Sequence, residues 1–324
     1  MSDCLEKVYF GILCIFCGLD SAIVLVVILM VIYRSPPSMR LFSYSILNIL
    51  GWGMFGNISH SVIVQPRYLT SSYCFEVLGF TSSMPFQVAA NFHAATKMSH
   101  VHVCIGIYLS FLLRGLQVST KPVSISNKTV FSVWLVNHGV AQAVSFVMAY
   151  IVLPENETTM GTILNSFNMT SDMFSNTVIC FSQTSSYTFG AFFVFSCCSL
   201  LITAVVVLWT LVRVKRLKAA MTEQSYDTQK RLVINLVIFT GLPVTFIILP
   251  SFVTALVNLH SFDDTFLFFL CAVLSVAHDF ILSFAMLTII KPYREAVCDV
   301  LSKIYMKTVC KKNGAVGSVV IENK

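Results

Sequence analysis

Basic and hydrogen-bonding side chains enter an apolar stretch of the chain between Pro85 and Arg114. His93, Lys97 and His100 follow one another at i, i+4 and i+7, a spacing that places them on one face of a helix. Two imidazoles and an ammonium group on one face can contact a polar ligand. They do not suit a metal ion, because His93 and His100 are two turns apart and share their face with no thiolate or carboxylate. We therefore predict ligand contacts on this face and no metal site.

The composition identifies the environment of that helix. Of the 324 residues, 56% are apolar and 11% are charged, whereas soluble domains carry about 25% charged residues. Seven apolar runs are long enough to cross a bilayer, which takes about 20 residues each. We predict an all-α membrane protein, a seven-transmembrane helix bundle spanning residues 1–312. Its helices are expected near 8–33, 41–64, 84–113, 130–153, 187–212, 232–257 and 265–290. An amphipathic cytoplasmic helix is expected at 293–309 and a flexible tail at 313–324.

The distribution of positive charge predicts the orientation. All of the 21 Lys and Arg residues except Lys7, Arg67 and Lys97 lie on one side of the predicted membrane, and that side is cytoplasmic by the positive-inside rule. The N-terminus is then outside, in a multi-pass protein of the plasma membrane. This bias also explains the formal net charge of +6 without a nucleic-acid partner. The glycosylation sequons at Asn156 and Asn168 both fall in the loop that this orientation places outside.

Two cysteines also lie on the outer side in this orientation. Cys74 precedes the third helix, and Cys180 ends the long outer loop before the fifth. Both would be in an oxidising compartment, so we expect a disulfide that joins this loop to the third helix. An unpaired Cys74, or a pairing with Cys4, remains the alternative.

Ionisable residues inside the spans are the best evidence for a site, because each costs about 2.5–3.5 kcal/mol at mid-helix. Counting about 1.5 Å per residue from the cytoplasmic helix ends brings several polar residues to one depth. The predicted mid-membrane polar cluster comprises Asp20, Asn57, His60, His100 and Asp279. Nearer the outside, the predicted ligand contacts are His93 and Lys97 with His100, Phe189 and Phe193. The alternative is that the cluster residues only satisfy one another and that Lys97 extends to the outer interface.

Four motifs resemble those of a known receptor family. Ser35–Arg40 with Leu47-Asn48 is similar to SPxxM…LLN, and Ser110–Gly115 to SFxYRY. Gly241–Pro243 is similar to the LP motif of helix six, and Lys291–Arg294 to a terminal PYR. In this order the motifs resemble those of the nematode serpentine chemoreceptors of the Str superfamily, which are G-protein-coupled receptors. The class D branch resembles the chain most, with classes H and I close.

This resemblance implies a chemosensory receptor, as in olfaction, that is not an enzyme and needs no cofactor. It implies a small external ligand, volatile compounds included, and a heterotrimeric G protein as partners, and it leaves a receptor dimer open. The sensory cilium would be a location typical of the family. The residues that would face the G protein are Arg114, Arg213, Lys215 and Arg216. A seven-helix ligand-gated channel or transporter, or a receptor partner that does not signal itself, is the alternative.

Overall fold

The computed structural model describes residues 3–35, 40–68, 74–117, 127–152, 177–180, 185–220, 222–250, 252–253 and 265–317. In chain order the helices are α1 (Asp3–Arg34), α2 (Arg40–Ile58), α3 (Phe86–Gln117), α4 (Asn127–Val152), α5 (Ser185–Arg216), α6 (Glu223–Pro243), α7 (Thr265–Ile289) and α8 (Lys291–Gly317). Three short strands complete the described part: β1 (Pro66–Tyr68), β2 (Cys74–Val77) and β3 (Val178–Cys180).

The protein is an all-α membrane protein with a seven-helix bundle, and α8 follows the seventh helix. Helix α3 is central, because it packs against α2, α4, α5 and α6. Within the described residues, the helical segments Lys7–Arg34, Phe86–Gly115 and Phe269–Ile289 are long and apolar enough to cross a membrane. Large apolar side chains are exposed along α1, α4 and α5, among them Ile15, Leu135 and Leu201. In a membrane-spanning bundle such side chains contact lipid.

The sixth helix differs from its predicted bounds. It begins at Glu223, about two turns before the predicted start at 232, because residues 223–231 are polar and lie outside the apolar run. The α-helical pattern ends at Pro243 and continues as a π-helical turn, Val244–Ile248. Proline removes one helical hydrogen bond and displaces the preceding turn, which favours such an irregularity.

Helix α8 is also longer than the predicted 293–309. It begins at Lys291 and extends to Gly317, so that part of the predicted flexible tail at 313–324 is helical. Pro292 is compatible with this start, because the first turn of a helix needs no backbone donor at that position. Residues 318–324 lie outside the described part of the chain.

The largest core cluster lies where α1, α2, α3, α6 and α7 meet. Val24, Leu50, Phe111 and Leu282 are among its fully buried members. The cluster continues to the start of α8 through Tyr293, which is fully buried. The oxygens of Tyr293 and Ser35 are 2.8 Å apart and share a hydrogen bond, so the first residue after α1 is joined to the KPYR segment.

A three-stranded antiparallel sheet covers the end of the bundle at which α2 finishes and α3 begins, which is the predicted outer end. Its strand order is β1-β2-β3, and the apolar-run search missed it because the strands have only three or four residues. Phe75, Val77 and Ile179 of the sheet are fully buried against Val64 and the first turns of α3. The ionic pair of Arg67 and Glu76 joins β1 to β2 as direct cross-strand neighbours.

Backbone hydrogen bonds attach this sheet to the end of α2. Helix α2 finishes in a π-helical turn, Ser59–Val64, whose last carbonyls accept hydrogen bonds from the amides of residues 79–81. Gly79 is required there, because a Cβ atom would lie only 2.5 Å from the Ile63 carbonyl oxygen. Thr177, just before β3, donates through its hydroxyl to the carbonyls of Ser82 and Met84. The outer end is therefore held mainly by main-chain contacts.

Candidate functional site

Three helices are joined at mid-membrane by one amide. The Asn57 Nδ2 atom of α2 donates to Asp20 Oδ2 of α1 at 2.8 Å and to the Val276 carbonyl oxygen of α7 at 3.1 Å. Asp20 and Asn57 are both buried. Since a buried polar group is costly unless it is hydrogen-bonded, these contacts fix the relative depth of the three helices.

Asp279 lies one helical turn from Val276 and belongs to the same layer. Its carboxylate rests on the backbone of Gly53, where an added Cβ would overlap both Asp279 oxygens. His278 Nε2 is 3.1 Å from Asp279 Oδ1, but the two atoms do not form a hydrogen bond. Within the described residues, neither carboxylate oxygen of Asp279 has a hydrogen-bond partner. Asp279 is therefore a buried acid held by packing, next to the hydrogen-bonded Asp20.

Helix α3 reaches the same layer through Ser99 and His100. Gly56 of α2 lies against the Ser99 hydroxyl, and its would-be Cβ is 3.9 Å from His100 Cδ2. His100 also interacts electrostatically with His278. His60, the remaining predicted member, is buried about one turn further out, in the π-helical turn. The structure thus brings Asp20, Asn57, His100 and Asp279 to one layer and adds His278, which the sequence reasoning missed.

His93 lies beneath the outer sheet. Its ring is 4.5 Å from the ring of Phe75 in β2, and it is buried. The sheet therefore covers His93, which was predicted as a ligand contact nearer the outside. Three other predicted ligand contacts, Lys97, Phe189 and Phe193, have side chains outside the described part of the structure. The sequons at Asn156 and Asn168 also lie outside the described residues.

A second buried polar group lies between α2, α3 and α4. His102 Nδ1 is 2.6 Å from His138 Nδ1, and His102 Nε2 is 3.0 Å from Gln142 Oε1. The ring of Trp52 stacks on His102 with centroids 4.0 Å apart. The sequence reasoning missed this pair, although His102 lies about 18 Å along its helix from Arg114 and His138 about 17 Å from Asn127. Matching depth in neighbouring spans was the signal that could have found it.

Arg114 joins α3 to α6 at the cytoplasmic end. It is buried, and its Nη2 atom donates to Gln229 Oε1. In this conformation the guanidinium therefore faces α6, and it does not lie on the open surface that was predicted to meet a G protein. The next residue, Gly115, packs against the Trp209 ring of α5 so closely that a Cβ would overlap the ring.

The other predicted cytoplasmic cations differ among themselves in exposure. Lys215 and Arg216 are exposed at the end of α5. The Arg213 guanidinium lies over the Trp209 ring, 5.0 Å from its centroid, which is close enough for a cation–π contact. Together they form a basic surface at the cytoplasmic end of α5.

The outer cysteines are neighbours across the sheet. Cys74 is disulfide-bonded, and Cys180 is its direct partner in the antiparallel register of β2 and β3. The side chain of Cys180 lies outside the described part of the structure, so its pairing with Cys74 stays a prediction. The described cysteines that remain as thiols are Cys14, Cys17, Cys104, Cys271 and Cys298. Among the described residues, no group of three or more His, Cys, Asp or Glu side chains could hold a metal ion.

These features define a class of protein: a membrane-spanning helical bundle with a covered outer end, a polar layer at mid-depth and a basic cytoplasmic end. The family model of the serpentine type 7TM GPCR chemoreceptor Srh matches residues 5–303. The chain therefore belongs to the Srh family of serpentine chemoreceptors. No curated protein matches it.

The family match confirms the prediction of a nematode serpentine chemoreceptor. The matched family consists of chemoreceptors and is not an enzyme family. It assigns the chain to the H branch. The motifs had indicated the D branch as the most similar, with the H branch close to it. The protein is thus a multi-pass membrane receptor of the chemosensory class.

Proposed function

We propose that the receptor binds a small external ligand in the outer half of the bundle and signals to a heterotrimeric G protein at the cytoplasmic end. The observation that carries this proposal is the buried contact between Arg114 of α3 and Gln229 of α6. A charged group held between two helices at the cytoplasmic end can be exposed by a modest separation of those helices. Lys215 and Arg216 are already exposed at the cytoplasmic end of α5.

Movement of α6 is the conformational change that we propose. The π-helical turn after Pro243 divides the cytoplasmic part of α6 from its outer continuation, and such turns are frequent at functional bends. A ligand that binds better when α6 is displaced would shift the equilibrium towards that state. The Arg114 contact with Gln229 would then break, and the basic surface would open.

The ligand pocket of this proposal comprises His93, Lys97 and His100 on α3 with Phe189 and Phe193 on α5. His93 lies beneath the sheet, so a ligand that reaches it must pass beside Phe75 or between helices. The mid-membrane layer of Asp20, Asn57 and Asp279 meets this pocket at His100, and a change in helix depth would alter its hydrogen bonds. In this proposal it couples the pocket to α7.

A ligand panel with a calcium or cAMP readout in cells that express the chain tests the proposal. We expect at least one small ligand to give a saturable response. We also expect Gln229→Leu to raise the basal signal, measured without ligand. If acidic ligands are active, Lys97→Met should lower their potency. Surface labelling of intact cells tests the plasma-membrane location, and the sensory cilium and a receptor dimer remain finer proposals.

A channel or transporter remains the second candidate, and orientation separates it from a receptor. An outside N-terminus predicts glycans at Asn156 and Asn168, and loss of each glycan in the Asn→Gln variants. Ligand-evoked current in the absence of any G-protein response would overturn the receptor proposal.

A further inference from the structure

The His102–His138 pair lies outside the proposed outer pocket and has hydrogen bonds of its own. Both histidines are buried, with exposures of 1% and 7%. Their contacts extend from α3 to α4, and the Trp52 ring of α2 stacks on His102. A buried pair of this kind is costly unless its nitrogens are satisfied, so the position of each proton matters.

The contacts set the positions of the protons once the Gln142 amide is assigned with its oxygen towards His102, as the structure places it. The Gln142 Oε1 atom can only accept, so His102 Nε2 at 3.0 Å from it carries a hydrogen and donates. In a neutral ring His102 Nδ1 is then an acceptor. The contact of 2.6 Å requires His138 Nδ1 to donate to it. The neutral His138 ring has its hydrogen on Nδ1, and its Nε2 atom is a bare acceptor.

That acceptor is buried and unused. Within the described residues, His138 Nε2 has no hydrogen-bond partner. It lies beside the ring of Trp134, whose centroid is 4.6 Å from that of His138. A buried nitrogen lone pair without a donor is a position that favours an incoming N–H or O–H group.

The surroundings of the pair indicate what can reach it. Trp134 is partly exposed, and its neighbours Phe131 and Leu135 are 60% and 54% exposed on the lipid-facing side of α4. Trp52 is also partly exposed. A path from the lipid to His138 Nε2 would run past Trp134 and would need its side chain to rotate. The surrounding side chains are aromatic, so a ligand here must be mainly apolar and must carry one hydrogen-bond donor.

We propose that His138 Nε2, flanked by Trp134 and Trp52, is a second ligand site that takes small apolar alcohols from the membrane. The alcohol hydroxyl donates to the nitrogen while its hydrocarbon part contacts the indole rings. This inference extends the proposed receptor function by naming a ligand class, but the binding itself does not depend on a G protein.

Tryptophan fluorescence provides a direct test. The chain has three tryptophans; two flank His138, and Trp209 lies at the cytoplasmic end, so Trp209→Phe leaves only the two reporters at the site. The purified receptor in lipid nanodiscs is titrated with 6-bromohexan-1-ol, 1-bromohexane or 1-bromo-6-methoxyhexane, because bromine quenches indole on contact. Concentrations are corrected for partition into lipid. We expect the alcohol to half-saturate quenching at a concentration about tenfold lower than either probe without a donor, a ratio equivalent to one gained hydrogen bond.

Two variants assign the preference to the nitrogen. His138→Phe keeps a ring but removes the acceptor, and it should make the three probes equivalent. Asn137→Leu changes the adjacent residue, whose amide donates within α4 to the Val133 carbonyl, and it should preserve the preference. If His138→Phe does not fold, the comparison of alcohol with ether in the Trp209→Phe protein alone decides the matter.

Equal quenching by alcohol and ether, or a preference that persists in His138→Phe, would overturn the site. Either result leaves the outer pocket and its signalling untouched. Conversely, a receptor that fails to signal but still prefers the alcohol supports this site and counts against the proposed coupling only.

Discussion

The two ends of the bundle are held together by different kinds of contact. At the outer end, main-chain hydrogen bonds join the sheet to the π-helical turn of α2, and Cys74 is disulfide-bonded. At the cytoplasmic end, each contact between α3 and its neighbours depends on a side chain, chiefly Arg114 with Gln229 and the Trp209 ring on the backbone of Gly115. Main-chain contacts cannot be exchanged for others without unfolding a segment, whereas side-chain contacts can change with a rotamer.

This difference indicates where the molecule is able to move. A ligand that binds beneath a fixed outer sheet cannot readily displace the sheet, so its binding energy acts on the helices below. The π-helical turn of α6 and the side-chain contacts at the cytoplasmic end are the features that can respond. The polar layer of Asp20, Asn57 and Asp279 lies between the two ends and would transmit or resist that movement.

The largest expected effect comes from opening the outer end. Cys74→Ser should lower the free energy of unfolding by about 2–5 kcal/mol, as expected for the loss of a native disulfide. Thermal unfolding of the purified receptor measures it, with the unmutated protein under reducing conditions as a control. If Cys180 is the partner, Cys180→Ser and the double variant should lose the same amount. Additive losses would show that the two cysteines are not paired with each other.

The cytoplasmic contact should respond in function more than in stability. Gln229→Leu removes a hydrogen bond to a charged group, which is worth about 1.5–3 kcal/mol. If that contact exists only in the resting state, the active fraction at zero ligand should rise roughly tenfold or more. Basal G-protein activation measures this. Asp227→Leu, at an exposed position of the same helix, is the control, and equal basal activity in both variants would contradict the role of Arg114.

Some of these structural features could be predicted from the sequence, depending on the pattern that each leaves in it. The seven spans follow from runs of apolar residues, because lipid requires them along the whole helix. The sharing of one layer by Asp20, Asn57 and Asp279 followed from counting residues, because helices have a fixed rise and charges at mid-span are rare. The start of α6 did not follow, because its first two turns are polar and leave no apolar run.

The outer sheet and the histidine pair needed three-dimensional information. Strands of three or four residues give no readable alternation, and β3 is separated from β2 by about a hundred residues of chain. Helical spacing places His102 on the opposite face of α3 from His100, but which helix it meets depends on packing. His138 gave no signal of its own, and only its contact with His102 shows that it matters.

The middle layer gives a smaller effect that separates packing from hydrogen bonding. Gly53→Ala should cost about 1–3 kcal/mol, because the new methyl group must displace the Asp279 carboxylate. Gly51→Ala is the matched control on the same helix, since a Cβ there meets nothing within 4 Å. It should be neutral or slightly stabilising, because alanine favours a helix. Thermal unfolding measures the stability of both variants. Equal stability would contradict the packing of Asp279 on α2.

The smallest expected effect concerns the join between α1 and α8. Tyr293→Phe removes the hydrogen bond to Ser35 but keeps the buried ring, so the loss should be about 0.5–1.5 kcal/mol. Ser35→Ala should lose a similar amount, and the double variant should lose little more, because both changes remove one shared bond. Tyr305→Phe, at a position 70% exposed on the same helix, is the control and should have no effect. Because this join lies at the cytoplasmic end and consists of side chains, Tyr293→Phe should also raise basal activity slightly. A loss of stability without any change in basal activity would restrict the mobile part of that end to α3 and α6.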